Sequence, residues 1–166
     1  MGVNDGRAEL ERDGYRYAIP IVPEPGDYDG QGHLNNAATV RLFNDMRIEY
    51  VFGRIGTWWT ELIRDEGIII AARELHVSYD SEGLPGEAFL GAMKYVRREG
   101  KSAILEQRIV EATTARSLAR AWVVQLAVQR GTVIDWPERY FDVVGQIEGA
   151  PLPRRDRGLR QPWGPP

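Results

Sequence analysis

The sequence predicts an α+β fold in which one antiparallel sheet wraps around a single long helix. Three observations carry that prediction. Apolar residues recur at three and four over residues 36–53, the longest helical pattern in the chain. From residue 68 onward the period drops to two, over several runs joined by short polar turns, which is the pattern of antiparallel neighbours. The helix also carries apolar residues on more than one side, so it calls for enclosure by other elements rather than a place on the surface.

Taken in order, residues 1–13 are polar and read as a frayed or loosely attached lead. Residues 15–22, YRYAIPIV, hold enough aromatic and β-branched side chains for a first strand, and Pro20 assigns it to an edge or a bulge. Pro23, Glu24, Pro25 and Gly26 end it. The stretch GDYDGQGHLNN, residues 26–36, then packs turn formers beside two aspartates and a histidine. In the helix that follows, Asn35 or Asn36 is the expected N-cap, and Thr39, Leu42, Phe43, Met46 and Tyr50 share one face. A shorter helical stretch over residues 57–65 carries Trp58 and Trp59 and stops near Gly67. Strands are expected over residues 68–79, 87–98, 101–112 and 118–129, with a hairpin turn at Glu99-Gly100 and a short helix beginning near Trp136 and Pro137. The last seventeen residues hold five of the ten prolines and four arginines, and read as a tail that packs by extended contacts or not at all. The expected organisation is a flexible N-terminus at 1–14, one domain at 15–148 and a Pro/Arg-rich tail at 149–166.

Composition narrows the function classes. A net charge of −3 over 166 residues gives no general attraction to nucleic acid, so an anion site must come from a local basic cluster. The absence of cysteine removes disulfides, thiolate nucleophiles and sulfur-built zinc sites. His33 and His76 lie far apart with no HExxH-like spacing, so neither a metal site nor a cofactor is expected. The N-terminal residues lack the charged start and apolar stretch of a secretory signal, and residues 68–72 form too short an aliphatic run to span a bilayer. A cytoplasmic protein with no membrane or nucleic-acid partner is the expectation. No GxSxG elbow is present, which sets aside the common serine esterase route.

Asp27-Tyr28-Asp29 followed by Gly32-His33-Leu34-Asn35-Asn36 resembles the signature of the hotdog-fold thioesterases, specifically the 4-hydroxybenzoyl-CoA thioesterase-like group. That signature places Asp-x-Asp ahead of Gly-His-Val-Asn-Asn at the mouth of the central helix, and Leu34 stands here for the Val. Met46 to Tyr50, MRIEY, is similar to the family's Ala-Arg-x-Glu segment. The stretch from Leu84 to Glu111 is similar to its Pro-x-x-x-Gly-Asp strand pair, with a tighter Pro85-Gly86 spacing.

The resemblance implies thioester hydrolysis, with Asp29 as the catalytic carboxylate, acting as nucleophile or general base. Thioester hydrolysis also needs donors aimed at the developing oxyanion, and backbone N–H groups around Asn35 and Asn36 at the helix start suit that need. Glycines at 30 and 32 would let the backbone approach the substrate. Asp27 reads as a turn-bonding residue, His33 as a loop-fixing hydrogen bonder or a proton carrier, and His76 as structural or surface-exposed. Asp45 and Glu49 on the helix are the internal rivals to Asp29. Arg97, Arg98 and Lys101, beside Ser102, form a hairpin cluster able to take the coenzyme A phosphates. Phe52, Trp58 and Trp59 are candidates for an acyl or aryl pocket, or for core. The expected partner is an acyl-CoA or an acyl carrier protein thioester, and the expected assembly a homodimer or dimer of dimers. A non-catalytic acyl-CoA-binding module is the alternative of another class.

Overall fold

The computed structural model describes residues 5–155, excluding the side chains of Asp5 and Trp58. Its elements are α1 (Asp5–Arg12), β1 (Tyr17–Ile21), α2 (Asn36–Tyr50), α3 (Thr57–Glu66), β2 (Ile68–Tyr79), β3 (Phe89–Glu99), β4 (Ser102–Glu111), β5 (Ser117–Gln129), β6 (Thr132–Ile134), α4 (Glu138–Glu148) and β7 (Arg154–Arg155). The sheet runs β1-β3-β4-β5-β2, with β6 paired to β5 and β7 to β3. One long helix against one sheet is the predicted α+β architecture.

By its internal contacts the chain forms two compact units. The first comprises residues up to Ile48, with 77–94 and 107–121; the second comprises 49–76, 95–106 and Trp122 onward.

In the first unit the predicted helix face packs as expected: Leu42, Phe43 and Met46, with Ala38 beside them, are buried in one cluster with Ile21, Phe89, Ile109, Leu118 and Ala121. Gly91 on β3 makes room for this contact, since a Cβ there would stand 2.6 Å from Met46 Sδ and 2.7 Å from Ile21 Cδ1. Pro20 pairs with Leu90 on edge strand β1, so its missing N–H is tolerated as predicted. Enclosure of α2 does not hold in the single chain: Ile48 is 48% exposed, and Arg41, Asn44 and Asp45 also face outward. The residue on the inner side that the apolar pattern missed is Arg47, buried with Gln107. Arg47 Nη1 donates to Gln107 Oε1 at 2.8 Å, and Gln107 Nε2 donates to the Phe43 carbonyl at 2.8 Å. Hydrogen bonding satisfies a polar pair that would otherwise oppose burial.

The N-terminal lead is also corrected. Residues 5–12 are helical, Leu10 is fully buried with Tyr15, Ala92 and Val110, and the Gly6 N–H donates to the Ala112 carbonyl at 3.1 Å. One apolar side chain among polar ones suffices to dock so short a helix.

In the second unit α2 passes through a π-helical turn, Val51–Ile55, into α3, which ends at Gly67 in the left-handed conformation (φ 66°). Trp59 is buried edge-on to Tyr140, a core role rather than a pocket role, while Phe52 is exposed. The short helix expected near Trp136 is the eleven-residue α4. Tyr140 and Tyr95 share a 2.6 Å hydroxyl contact, and the Tyr50 hydroxyl donates to Glu148 Oε1 at 2.9 Å. Burial pushes the Tyr50 and Tyr140 phenols well up, so both stay neutral. Strand β6 went unpredicted: Arg130 and Gly131 at φ 49° and 78° turn the chain straight back onto β5, and the strand itself is only three residues long. The tail's Arg154 and Arg155 pair in parallel with Arg98 and Glu99 of β3, an extended contact. The remainder of the predicted tail, residues 156–166, lies outside the described residues.

The short-connection argument misplaced β2. It neighbours β5 at the far end of the sheet and does not neighbour β3. The Asp80 and Ser81 N–H groups both donate to the Leu118 carbonyl, so the loop after β2 is tied to the start of β5 before the chain reaches β3.

Candidate active site

The loop between β1 and α2 is organised by its own aspartates. The Asp29 N–H donates to the His33 carbonyl at 2.8 Å, and the Gly32 N–H to the Asp29 carbonyl at 3.0 Å. Gly32 has φ 81°, the left-handed conformation that a tight return of this kind favours in glycine. Asp29 Oδ1 accepts the backbone N–H of Gln31 at 2.8 Å and of His33 at 3.1 Å. These bonds, His33's first and Gln31's next, hold the Asp29 carboxyl below the usual carboxylate range, so it is ionised at neutral pH. Both fall on Oδ1.

Asp27 has the different job the sequence suggested. It is buried, its Oδ2 accepts the Glu24 N–H at 2.8 Å and Arg41 Nη2 at 2.5 Å, and its carbonyl accepts the Asn35 N–H at 2.8 Å. Arg41 is the largest influence lowering its carboxyl.

Asn35 is the N-cap: its Oδ1 accepts the Ala37 N–H at 2.7 Å. The expected pair of oxyanion amides is thereby reduced, since the Asn35 N–H is committed to Asp27. Among the described residues the Asn36 N–H meets no acceptor, as the first position of a helix should leave it.

Asp29, His33 and Asn36 line one cleft of about 270 Å³, together with Thr39, the loop of Tyr79 to Gly83, and an apolar floor of Leu34, Ile109, Leu118 and Ala119. Sequence reading brought the first three together. It missed Tyr79, Asp80 and Glu82, which lie more than forty residues away in the chain and carry no local motif. The Leu34 N–H donates to the Gly83 carbonyl at 2.8 Å, and a Cβ on Gly83 would stand 2.8 Å from Leu118 Cδ2. Across the cleft His33 Nε2 stands 3.4 Å from Glu82 Oε2, and the Tyr79 hydroxyl donates to the Asn36 carbonyl at 3.3 Å. Burial would raise the Asp80 carboxyl, but hydrogen bonds from Arg120 and Ser117 outweigh it and hold it low.

The rival carboxylates do not line this cleft. Asp45 pairs with Arg41 at 2.8 Å, and Glu49 is exposed. His76 is exposed on β2, as expected. Among the described residues no group of three or more His, Asp or Glu is arranged to hold a metal ion.

The hairpin cations are committed inside the protein. Arg97 Nε pairs with Glu99 at 2.6 Å, and Arg98 makes two 3.0 Å bonds to Glu138 while its guanidinium lies 4.0 Å over the Phe141 ring. Lys101 Nζ donates to the Val133 carbonyl at 3.2 Å, and Ser102 is buried. Arg98 thereby packs against α4, while Arg97 and Lys101 bond to groups of β3 and β6.

A family model described as the thioesterase-like superfamily matches residues 23–153. The chain belongs to that superfamily. Membership gives the thioesterase-like chain its activity class, thioester hydrolysis, and matches the sequence resemblance at residues 27–36. Among solved structures it is similar to a Thermus thermophilus thioesterase in complex with coenzyme A and zinc, at 24% identity and TM-score 0.72, covering 84% of this chain and 99% of that one. A 1,4-dihydroxy-2-naphthoyl-CoA thioesterase from Synechocystis aligns at 12% identity and TM-score 0.69, over 77% of this chain and 94% of that one. A thioesterase superfamily protein from Jannaschia sp. CCS1 aligns at 18% identity and TM-score 0.69, over 87% and 94%. At these identities the likeness is one of fold, the hotdog fold. No curated protein matches the chain significantly.

Proposed function

We propose that the chain is an acyl-CoA thioesterase, converting a CoA thioester and water into a carboxylic acid and free coenzyme A, with Asp29 as the attacking carboxylate. The observation that carries this reading is the shared cleft of Asp29, His33 and Asn36 at the start of α2. Asp29 Oδ1 is held by two backbone N–H groups, so Oδ2 is presented in a defined direction. Kept ionised, the carboxylate is available for direct attack on the thioester carbonyl. Oδ2 adds to the thioester carbonyl carbon, the carbon–sulfur bond breaks and the thiolate takes a proton from solvent. Water then opens the acyl–aspartyl anhydride and restores the carboxylate. The Asn36 N–H, with the positive end of the α2 dipole, is the donor placed to meet the developing oxyanion. His33 holds the loop through its backbone bonds to Asp29 and is the nearby group able to carry a proton.

The working unit is a homodimer formed along β2. This twelve-residue edge strand leaves Ile69, Leu75 and Tyr79 exposed, and a long edge of that kind is stabilised by pairing. Sedimentation of the purified protein checks it.

The test is thiol release over a panel of acyl-CoAs, with Asp29→Asn beside the wild type. Turnover is expected to fall at least about a hundredfold, the scale of losing the attacking group, with the melting curve unchanged. Near-normal turnover in the variant would remove the assignment. Among the described residues no helix is long and apolar enough to cross a membrane.

A further inference from the structure

We infer that Glu82 makes the cleft a charge filter, so that the enzyme takes neutral acyl groups and rejects those ending in a carboxylate. This rests on the cleft being the thioester site. Three carboxylates line it, Asp29, Asp80 and Glu82. Each is compensated differently. Asp29 accepts neutral backbone N–H groups and keeps its whole charge. Asp80 is matched by Arg120, whose Nε and Nη2 lie 3.0 and 3.3 Å from it, and by the Ser117 hydroxyl at 2.7 Å. Arg116, the other nearby cation, puts Nη2 on Glu87 at 2.6 and 2.8 Å, while its Nη1 donates to the Ser81 hydroxyl at 2.8 Å and to the Glu82 carbonyl, leaving the Glu82 carboxylate itself without a bond to it. Glu82 faces the His33 imidazole at 3.4 Å, with its own side chain 67% exposed.

Backbone packing decides where Glu82 stands. Gly83 meets Leu34 through a 2.8 Å backbone hydrogen bond, and its missing Cβ lets the Tyr79–Gly83 segment close to within contact of Leu118. The neighbouring Glu82 is therefore held on the wall opposite the Asp29 loop. A cleft whose carboxylates share one sign focuses its field, and charges within a Debye length of each other, about 10 Å at 0.1 M salt, still interact. A substrate carboxylate entering it meets the like charges of Asp29 and Glu82; a methyl group meets no such repulsion.

Matched thioesters separate charge from size: butyryl- against succinyl-CoA, octanoyl- against octanedioyl-CoA, and benzoyl- against 4-carboxybenzoyl-CoA. In low salt the wild type is expected to favour the neutral member of the pairs it hydrolyses by at least about tenfold in kcat/KM. E82Q should narrow that ratio severalfold, E82K should narrow it further, and added salt should shrink all the differences. A purely structural role for Glu82 would not move a selectivity ratio with salt. Equal turnover of both members by the wild type, or a ratio unchanged in E82Q and E82K, would overturn the filter while leaving the thioesterase assignment standing. Silence on every pair and on the wider acyl-CoA panel would defeat both.

Discussion

Arg41 Nη2 stands 2.5 Å from Asp27 Oδ2, an ion pair that reaches from the second turn of the long helix back to the loop carrying Asp29. The same Asp27 oxygen accepts the Glu24 N–H, and the Asp27 carbonyl accepts the Asn35 N–H. Three anchors therefore meet on the residue two positions before Asp29, the proposed attacking carboxylate. Asp27 holds position, and the chemistry is proposed for Asp29.

Replacing Asp27 with Ala leaves the Glu24 N–H and the Arg41 guanidinium without their acceptor. The expected cost is about 1–3 kcal/mol in urea unfolding, the range for orphaning a buried hydrogen-bonding group. Turnover should fall with it, because the loop loses its anchor to α2. A variant with full stability and full activity would show that the clamp is idle.

The pH dependence has a definite sign. Asp27 and Asp29 both have depressed folded-state values, Asp27 chiefly through Arg41 and Asp29 chiefly through the His33 N–H. The stability they contribute is complete above their unfolded values of about 3.9 and is lost as pH falls through the lower folded ones. For the same reason ionisation of Asp29 should put no acid limb on kcat/KM between about pH 5 and 8. An acid limb of kcat/KM within that window that disappears in Asp29→Glu would overturn this expectation.

Asn35→Ala removes the cap on the Ala37 N–H. A loss of about 1 kcal/mol in thermal or urea unfolding is expected. The helix start that holds the Asn36 N–H should loosen, so kcat is expected to drop more than KM changes.

Arg98 is a structural residue on this reading. Its two bonds to Glu138 hold that carboxyl down to about 2, with Arg154 adding a 2.6 Å contact. The pair's contribution is therefore complete above the ordinary glutamate range and is lost as pH falls toward 2. Arg98→Ala should cost about 1 kcal/mol, since Glu138 is solvent-exposed and the remainder is stacking on Phe141. The Michaelis constant for acyl-CoA should stay unchanged. A several-fold rise with intact stability would return the hairpin cations to the phosphate role.

Gln107→Leu takes the acceptor from buried Arg47 and the donor from the Phe43 carbonyl. Destabilisation of about 2 kcal/mol is expected by urea unfolding, and Gln107→Glu, which restores an acceptor for the guanidinium, should recover part of it.

Much of the site was readable because it is local. Asp29, Gly32, His33 and the Asn35 cap lie within seven residues, and their geometry follows from short-range hydrogen bonds that turn formers make wherever they occur. The buried face of α2 was equally readable, since a helical period places Leu42, Phe43 and Met46 on one side regardless of context. The N-terminal helix was not, because Leu10 is one apolar residue in a polar segment and only its partners Tyr15, Ala92 and Val110 make it a core residue.

The sequence by itself determined the types of the long helix and the four long strands, the capped start of that helix, the loop that holds Asp29, and the family to which these belong. Tertiary structure alone decided that β2 sits beside β5, that Glu82 faces His33, that Arg97 and Arg98 are tied to Glu99 and Glu138, and that Arg47 is buried. The physical reason is range. Periodicity and capping are set by neighbours a few residues apart, whereas the partner of a charge is chosen by which distant segment the packed backbone brings within a few ångströms.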